Sequence, residues 1–420
     1  VAGIQAAIDL AGKGVKVHLV EREKGFGGRV SDLSNIYPSF KPGSNLIDAK
    51  AKLLRSLGVN TYTSTTIDNV TGFVGNFKVN LKSNGSNNDD GDKTLEVGAI
   101  VVAVGSNLYR PEKGEFGFGV YSNVFTNEQF EGMIAHGKDF KVDGKKPKEV
   151  AFIQCVGSRG KKGNPGCSRY CCQAAIKQAI TLRKMDIHVI IFHRDIRVYS
   201  RGAEEMYREA RGMGVLFIPY EKDKPPKLNG KKKVTSLFLK NLQLNETMEF
   251  PVDAVILSLG MVPDEKANDT LVDLLKIQRS ADHFFMERHP KLGPVETAVE
   301  GIFLCGCAQG PKDIADSISQ ASAVAAKVSA LLSDDTITLE PIVSTSNSEY
   351  CRACGRCIDV CEFQALQLRQ SSQGNFAVYI NEALCKGCGS CVSVCPTGAL
   401  DVRHFTDKQI RAQLEAVFDE

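Results

Sequence analysis

Short unbroken apolar runs, each followed by a turn and a helical stretch, set the rhythm of this chain. Val150-Ala151-Phe152-Ile153 and His188-Val189-Ile190-Ile191-Phe192 show no polar alternation, as strands of a parallel sheet covered on both faces require, and Ala174 to Leu182 between them suits a helix. Together they predict a βαβ unit. Val15 to Val20, Ala99 to Val102 and Val252 to Leu257 are further buried strands, whereas Asp68 to Leu81 alternates around glycines as a hairpin does. The chain opens at Val1 to Ala7 on a helix start. Ile314 to Leu332 is a long alanine-rich helix with small residues on its packing side. Residues 83–93, SNGSNNDDGDK, hold no core-forming side chain and read as an exposed loop, and Thr336 to Ser348 as a polar linker.

This succession is α/β and breaks into segments: a first nucleotide-type domain over 1–147, a second over 148–262, the remainder of the first over 263–335, the linker 336–348, a small domain at 349–405 and a tail at 406–420. At 420 residues the chain exceeds what one core organises. A net charge of +3 gives no case for nucleic acid, and Lys145-Lys146-Pro147-Lys148 and Lys231-Lys232-Lys233 read as solvated loops. No apolar run approaches a membrane span and no signal sequence opens the chain, so a cytoplasmic location is expected. In that reducing setting fourteen cysteines read as metal ligands rather than disulfides.

The glycine pattern points to a flavin. Val1 to Ala7, with Gly3, resembles the helix start of a dinucleotide fold whose first strand lies upstream, and Glu21 closes the second strand where a carboxylate would hold a ribose. Gly25-Phe26-Gly27-Gly28-Arg29 suits close backbone contact with a second phosphate or the flavin. Ala103 and Gly105, Gly260 in the exit turn of the second domain, and Gly306 are placed as in flavoproteins with two dinucleotide domains. Asp313 and Ile314 begin a helix whose N-terminus should face the flavin pyrimidine or the phosphates.

In the second domain, cysteines stand where a pyridine nucleotide would want G-x-G-x-x-G. Cys155, Cys167, Cys171 and Cys172 occupy the first turn, with Arg159, Lys161, Lys162 and Arg169 nearby. A helix N-terminus and basic side chains stabilise the negative charge of a four-thiolate iron–sulfur cluster. The spacing C-x11-C-x3-C-C is not that of a common ferredoxin, and buried structural cysteines are the other reading. The small domain is unambiguous. Cys351-x2-Cys354-x2-Cys357-x3-Cys361 and Cys385-x2-Cys388-x2-Cys391-x3-Cys395-Pro396 are two bacterial ferredoxin motifs, in which the fourth cysteine of each run serves the other cluster. One [4Fe–4S] cluster then belongs to Cys351, Cys354, Cys357 and Cys395, the other to Cys385, Cys388, Cys391 and Cys361. Glu362 stands where proline is usual in the first motif.

With these residues laid out, the chain resembles the family of the A subunit of heterodisulfide reductase, most specifically in QCVGSRGKKGNPGCSRYCCQAAIKQA, DIRVYSRGAEEMYREARGMGVLFI and HPKLGPVETAVEGIFLCGCAQGPKDIADSISQASAVA. The resemblance implies a thioredoxin-reductase-like core of two dinucleotide domains holding FAD, joined to the α+β ferredoxin domain. It implies a third [4Fe–4S] cluster on Cys155, Cys167, Cys171 and Cys172, and an oxidoreductase that passes electrons between flavin and clusters, in some complexes by flavin-based bifurcation. Lys177, five residues past Cys172, would reach a ring nitrogen of the isoalloxazine. The implied partners are the other subunits of such a complex and an electron-donating hydrogenase, formate dehydrogenase or ferredoxin, with the chain a homodimer inside a hetero-oligomer. The chain departs from many members in lacking a ferredoxin domain inserted after Gly75 to Val79, so it looks like the short form, similar also to the A subunit of the quinone-interacting membrane-bound oxidoreductase complex. No C-x-x-C lies outside the ferredoxin motifs, which leaves disulfide chemistry to a partner, and Cys305 and Cys307 read as packing. The alternative is an NAD(P)H-dependent flavin and iron–sulfur oxidoreductase similar to the small subunit of glutamate synthase, against which the missing glycine fingerprint speaks.

Overall fold

The computed structural model describes residues 1–83, 93–240, 246–334, 336, 341–370 and 374–418. Helix α1 (Ala2–Ala11) leads to β1 (His18–Val20), α2 (Gly43–Ser56) and β2 (Asn60–Tyr62), with β1 and β2 parallel. The expected hairpin is β3 (Thr65–Thr71) and β4 (Phe77–Ser83), widened by β5 (Lys93–Val97) into an antiparallel sheet. Of the exposed loop read at 83–93, residues 84–92 lie outside the described ones. Strands β6 (Ile100–Val102) and β7 (Asn107–Leu108) follow.

The second unit is built on β8 (Val124–Thr126), α3 (Asn127–Ile134), β9 (Glu149–Val156), α4 (Cys171–Lys184), β10 (His188–His193), α5 (Ala203–Gly212) and β11 (Leu216–Pro219). A meander of β12 (Lys227–Gly230), β13 (Val234–Lys240) and β14 (Thr247–Pro251) precedes β15 (Ala254–Leu259). Among the described residues the sheet order is β11-β10-β9-β15-β8, every pair parallel. Alternate residues of β9 serve two cores: Val150 and Phe152 pack with Phe130, Ile176 and Ile180, while Ala151 and Ile153 face Leu237 and Leu257. That two-sided burial explains the apolar runs. It also corrects the boundary read at 148, because β8 pairs with β15 and α3 packs on the same core. Three residues of strand carry too little pattern to announce this.

Strand β16 (Met261–Val262) returns antiparallel on β7, so two extended segments cross between the units side by side. Helix α6 (Glu265–Leu275), β17 (Ile302–Leu304), parallel to β6, and α7 (Ile314–Leu331), packed along α1, complete the first unit. The small domain has β18 (Ser344–Ser346), α8 (Arg356–Asp359), β19 (Leu366–Gln370), β20 (Phe376–Ile380), α9 (Ser390–Ser393) and β21 (Leu400–Val402), and ends in the exposed helix α10 (Asp407–Phe418). Its start is earlier than the residue 349 read from sequence. Val343 is fully buried in the ferredoxin core and β18 pairs with β21, so the linker is shorter than 336–348.

Candidate metal and cofactor centres

The central cysteines meet at the carboxyl end of β9. Cys155, the last residue but one of that buried strand, has a left-handed conformation, φ 63°, and Arg159 and Arg169 in the loop also have positive φ. Each such residue costs on the order of 1–3 kcal/mol, which suits a site held in place for function. Gly157 is obligatory here, since a Cβ would lie 2.0 Å from the Tyr109 ring. Cys171 and Cys172 form the first turn of α4, where free N–H groups point outward. Cys155, Cys171 and Cys172 are buried, Cys167 half-buried, and Cys171 feels the charge of the other three. The hydrogen bond between the paired thiols holds Cys172 down at about 7 and pushes Cys171 well up, while burial raises Cys155. Among the described residues no three His, Cys, Asp or Glu side chains crowd round one metal ion. In a four-iron cluster each thiolate takes a different iron, so a looser ring is the geometry to expect.

Lys177 is no solvated lysine. Its side chain is 7% exposed and meets Glu131 of α3 at 2.6 Å, and its ammonium also donates to Asn35 O at 3.0 Å. Glu131 further accepts from Gln178 at 2.6 Å and from the Ser34 hydroxyl and N–H. Ser34 and Asn35 belong to the segment after the glycine-rich turn, so this network ties α4 to the first unit. Nothing in sequence marks Glu131, Ser34 or Asn35, which lie 46 and more residues from Lys177 and meet it only on folding.

The flavin-type residues fall into two groups. Gly3 and Gly306 bring α1 close to the β17 turn: a Cβ on Gly306, φ 65°, would stand 2.6 Å from Ala2 Cβ, and one on Gly3 3.1 Å from Ala103 Cβ. The first residues of α1 and of α7 thus converge on one turn. Glu21 follows β1 and takes the Glu23 N–H at 3.0 Å; Gly28 opens a 3₁₀ turn; Gly105 has φ 78° in open space. Arg29 reaches Ser106 at 3.4 Å, yet its Nη1, like Asn35 Oδ1, is buried without a protein partner. Such orphaned polar atoms beside permissive glycines fit a bound flavin nucleotide. Asp313 and Ile314 start α7, but both Asp313 oxygens are taken, one by the Asp316 N–H at 2.7 Å as the helix cap, the other by Ser200. Gly260 is held by protein on the side a Cβ would take: its N–H binds Val156 O, its carbonyl accepts from Tyr109 N, and Gly157 and Ser158 fill the space beside it. It packs the cysteine loop.

In the small domain one cavity is lined by Cys351, Cys354, Cys357 and Cys395, the other by Cys361, Cys385, Cys388 and Cys391. These are the two ligand sets with the fourth cysteines exchanged. Backbone N–H groups of Val378, Ala365 and Ser344 point at Cys351, Cys361 and Cys385 at 3.3–3.4 Å, the kind of donor that steadies a cluster sulfur. Cys307 sits at the Lys312 carbonyl, 3.4 Å, and Cys305 is fully buried with its thiol pushed up to about 12 by burial, as packing requires. Among the described residues no helix is long and apolar enough to cross a membrane.

A family model described as a 4Fe-4S dicluster domain matches residues 350–399. Over its full length the chain is 35% identical to an iron-sulfur A subunit of CoB--CoM heterodisulfide reductase, the one numbered 2, of Methanopyrus kandleri, covering 76% of that protein. It is 34% identical to the A subunit of H(2):CoB-CoM heterodisulfide,ferredoxin reductase of Methanothermobacter marburgensis, covering 75%. The first alignment spans 503 residues against a chain of 420, so that relative has inserted segments. Among solved structures the chain is similar to Lactococcus lactis thioredoxin reductase in the FR conformation, with TM-score 0.52 and 20% identity over 79% of this chain and 95% of that one. The thioredoxin reductase of T. acidophilum gives TM-score 0.50 and 18% identity over 80% and 96%. At such identity the likeness concerns the fold, a two-dinucleotide-domain core.

Proposed function

The chain belongs to the family of the iron–sulfur A subunit of heterodisulfide reductase, and from that premise we propose that it is the FAD-bearing electron-transfer component of a heterodisulfide-reductase-like complex, with three [4Fe–4S] clusters. Two are the ferredoxin pair. The third is held by Cys155, Cys167, Cys171 and Cys172. The observation that carries this reading is the convergence of those four cysteines in the turn where a dinucleotide domain would cradle pyrophosphate. FAD would be held by Gly3, Glu21, Gly28, Arg29, Ala103, Gly105 and Gly306, with Asp313 and Ile314 presenting the α7 N-terminus, and would supply a two-electron carrier able to exchange single electrons with clusters. Around it the chain's own groups would act by position: Arg29 would offer its unpaired N–H and Lys177 would hold a proton near the ring while Glu131 compensates its charge, and the Arg169–Asp316 and Ser200–Asp313 bonds fix the cysteine loop and the loop after β10 against α7. Partners are the other subunits of the complex, one of which carries the disulfide chemistry, and an upstream hydrogenase, formate dehydrogenase or ferredoxin.

Iron counting tests the third cluster. The anaerobic, fully loaded holoprotein should hold about twelve irons per FAD, and Cys171→Ala should remove about four while the ferredoxin signals persist. A wild-type count of about eight would overturn the assignment. The Arg159–Asp195 ion pair crosses the strand ends where a pyridine nucleotide would lie, so mixing with NADH or NADPH should leave the flavin oxidised on the turnover timescale.

A further inference from the structure

We propose that Asp195, with the two arginines it bridges, Arg159 and Arg197, forms a charged clamp over the four-cysteine site that sets the redox potential of the cluster held there. The proposal rests on the cluster reading above. Asp195 stands two residues beyond β10, at the sheet end where the cysteines meet. One of its carboxylate oxygens takes the Arg159 guanidinium and the other takes Arg197 Nε at 3.0 Å. The clamp reaches three of the four sulfurs. The charge of Arg159 acts on Cys155 and Cys172 and that of Arg197 on Cys167, and the Cys172 thiol points at Asp195 O, 3.9 Å away. Arg194 fixes the frame by donating to Arg159 O at 2.8 Å.

The arrangement differs from ordinary surface ion pairing in what it faces. Arg159 is only 25% exposed, and Asp195 is shared between two cations, so the trio keeps a net positive charge directed at the thiolates. Net charge and hydrogen bonds to sulfur are among the quantities that place a cluster on the potential scale. Each arginine favours the added electron, through its charge and its N–H donors. Asp195 opposes them and restrains where they point. Removing Arg197 or Asp195 breaks the same ion pair but changes the local charge in opposite directions, which separates an electrostatic role from a merely structural one.

The experiment is a redox titration of this cluster in the anaerobic holoprotein, followed by electron paramagnetic resonance, for the wild type, Arg197→Gln, Asp195→Asn and the double variant, with iron counted in each. Arg197→Gln should lower the reduction equilibrium constant by about tenfold, about 59 mV towards more negative potential for one electron. Asp195→Asn should shift it the other way, and the double variant should return near the wild type, all with about twelve irons retained. Single variants that shift in the same direction, that leave the potential unmoved with iron intact, or that both lose this cluster would overturn the clamp. A wild type with only about eight irons would instead overturn the cluster reading beneath it.

Discussion

Removing one member of the Lys177–Glu131 pair should be among the most damaging single changes in this protein. The two side chains are 7% and 5% exposed and meet at 2.6 Å. Burial alone would raise the Glu131 carboxyl, but the Lys177 ammonium and the donors from Ser34 and Gln178 outweigh it and hold the group below its ordinary value; burial depresses Lys177 against the pull of Glu131. Lys177→Met leaves a carboxylate facing only neutral donors, and Glu131→Gln leaves an ammonium beside an amide and one carbonyl. Breaking a buried pair from one side costs about 3–5 kcal/mol, whereas removing both partners leaves no unpaired charge. At roughly 2–4 °C per kcal/mol for a domain of this size, each single variant should melt about 6–20 °C lower. The double variant should lose clearly less than the sum, with a coupling of about 1 kcal/mol or more. Scanning calorimetry of the holoprotein reads both quantities. Because the folded-state pKa of Glu131 is lowered, its contribution is present above the ordinary carboxylate value and lost as pH falls through the folded one, so the gap to Glu131→Gln should close in acid. Single variants within about 1 kcal/mol of wild type, or strictly additive ones, would refute the reasoning.

Cys357→Ser should cost one ferredoxin cluster, about four irons, and leave FAD content unchanged, read by iron assay and flavin absorbance; joint loss of flavin would show that the small domain does not fold independently. Arg29→Ala removes a buried N–H that has no protein partner, and a hydrogen bond to a charged group is worth about 1.5–3 kcal/mol, so FAD should bind about ten- to a hundredfold more weakly in a titration of the apoprotein. Unchanged affinity would place Arg29 away from the cofactor. Gly306→Ala puts a methyl 2.6 Å from Ala2 Cβ at φ 65°, and the left-handed backbone alone costs about 1–2 kcal/mol, so both melting temperature and flavin retention should fall.

Much of this was legible in the chain because the signals are local. The two ferredoxin motifs put their ligands in register within runs of eleven residues, and the apolar β9 and β10 announce a parallel sheet by themselves. The boundary at β8 was not legible, since Val124–Thr126 is too short to carry a pattern and is a strand only because β15 lies beside it. Gly260 was half legible for a related reason. A glycine in an exit turn signals close approach, and sequence cannot say by what; here Gly157 and Ser158 approach it. The partners of Lys177 were invisible because a buried ion pair is a property of two distant segments.

The bonds between the two nucleotide-type units share an origin that bears on function. Arg169 reaches Asp316 at 3.1 Å and stacks on Tyr199; Ser200, which also receives Gln173 at 3.0 Å, binds Asp313; Tyr37 binds Gly202 O; and Lys177 binds Asn35 O. On the second-unit side each of these bonds comes from the cysteine loop, from α4 directly after it, or from the loop after β10, with Glu131 of α3 adding its bonds to Ser34, and on the first-unit side from the segment after the glycine-rich turn or from the start of α7. The contacts that orient the units are therefore made by the same loops that carry the candidate cluster and the candidate flavin site. Electron transfer between two centres requires a reproducible separation, and a hinge between them would make it variable. A chain that ties the units at these points, with β7 and β16 paired where the backbone crosses, places its rigidity where such a relay needs it.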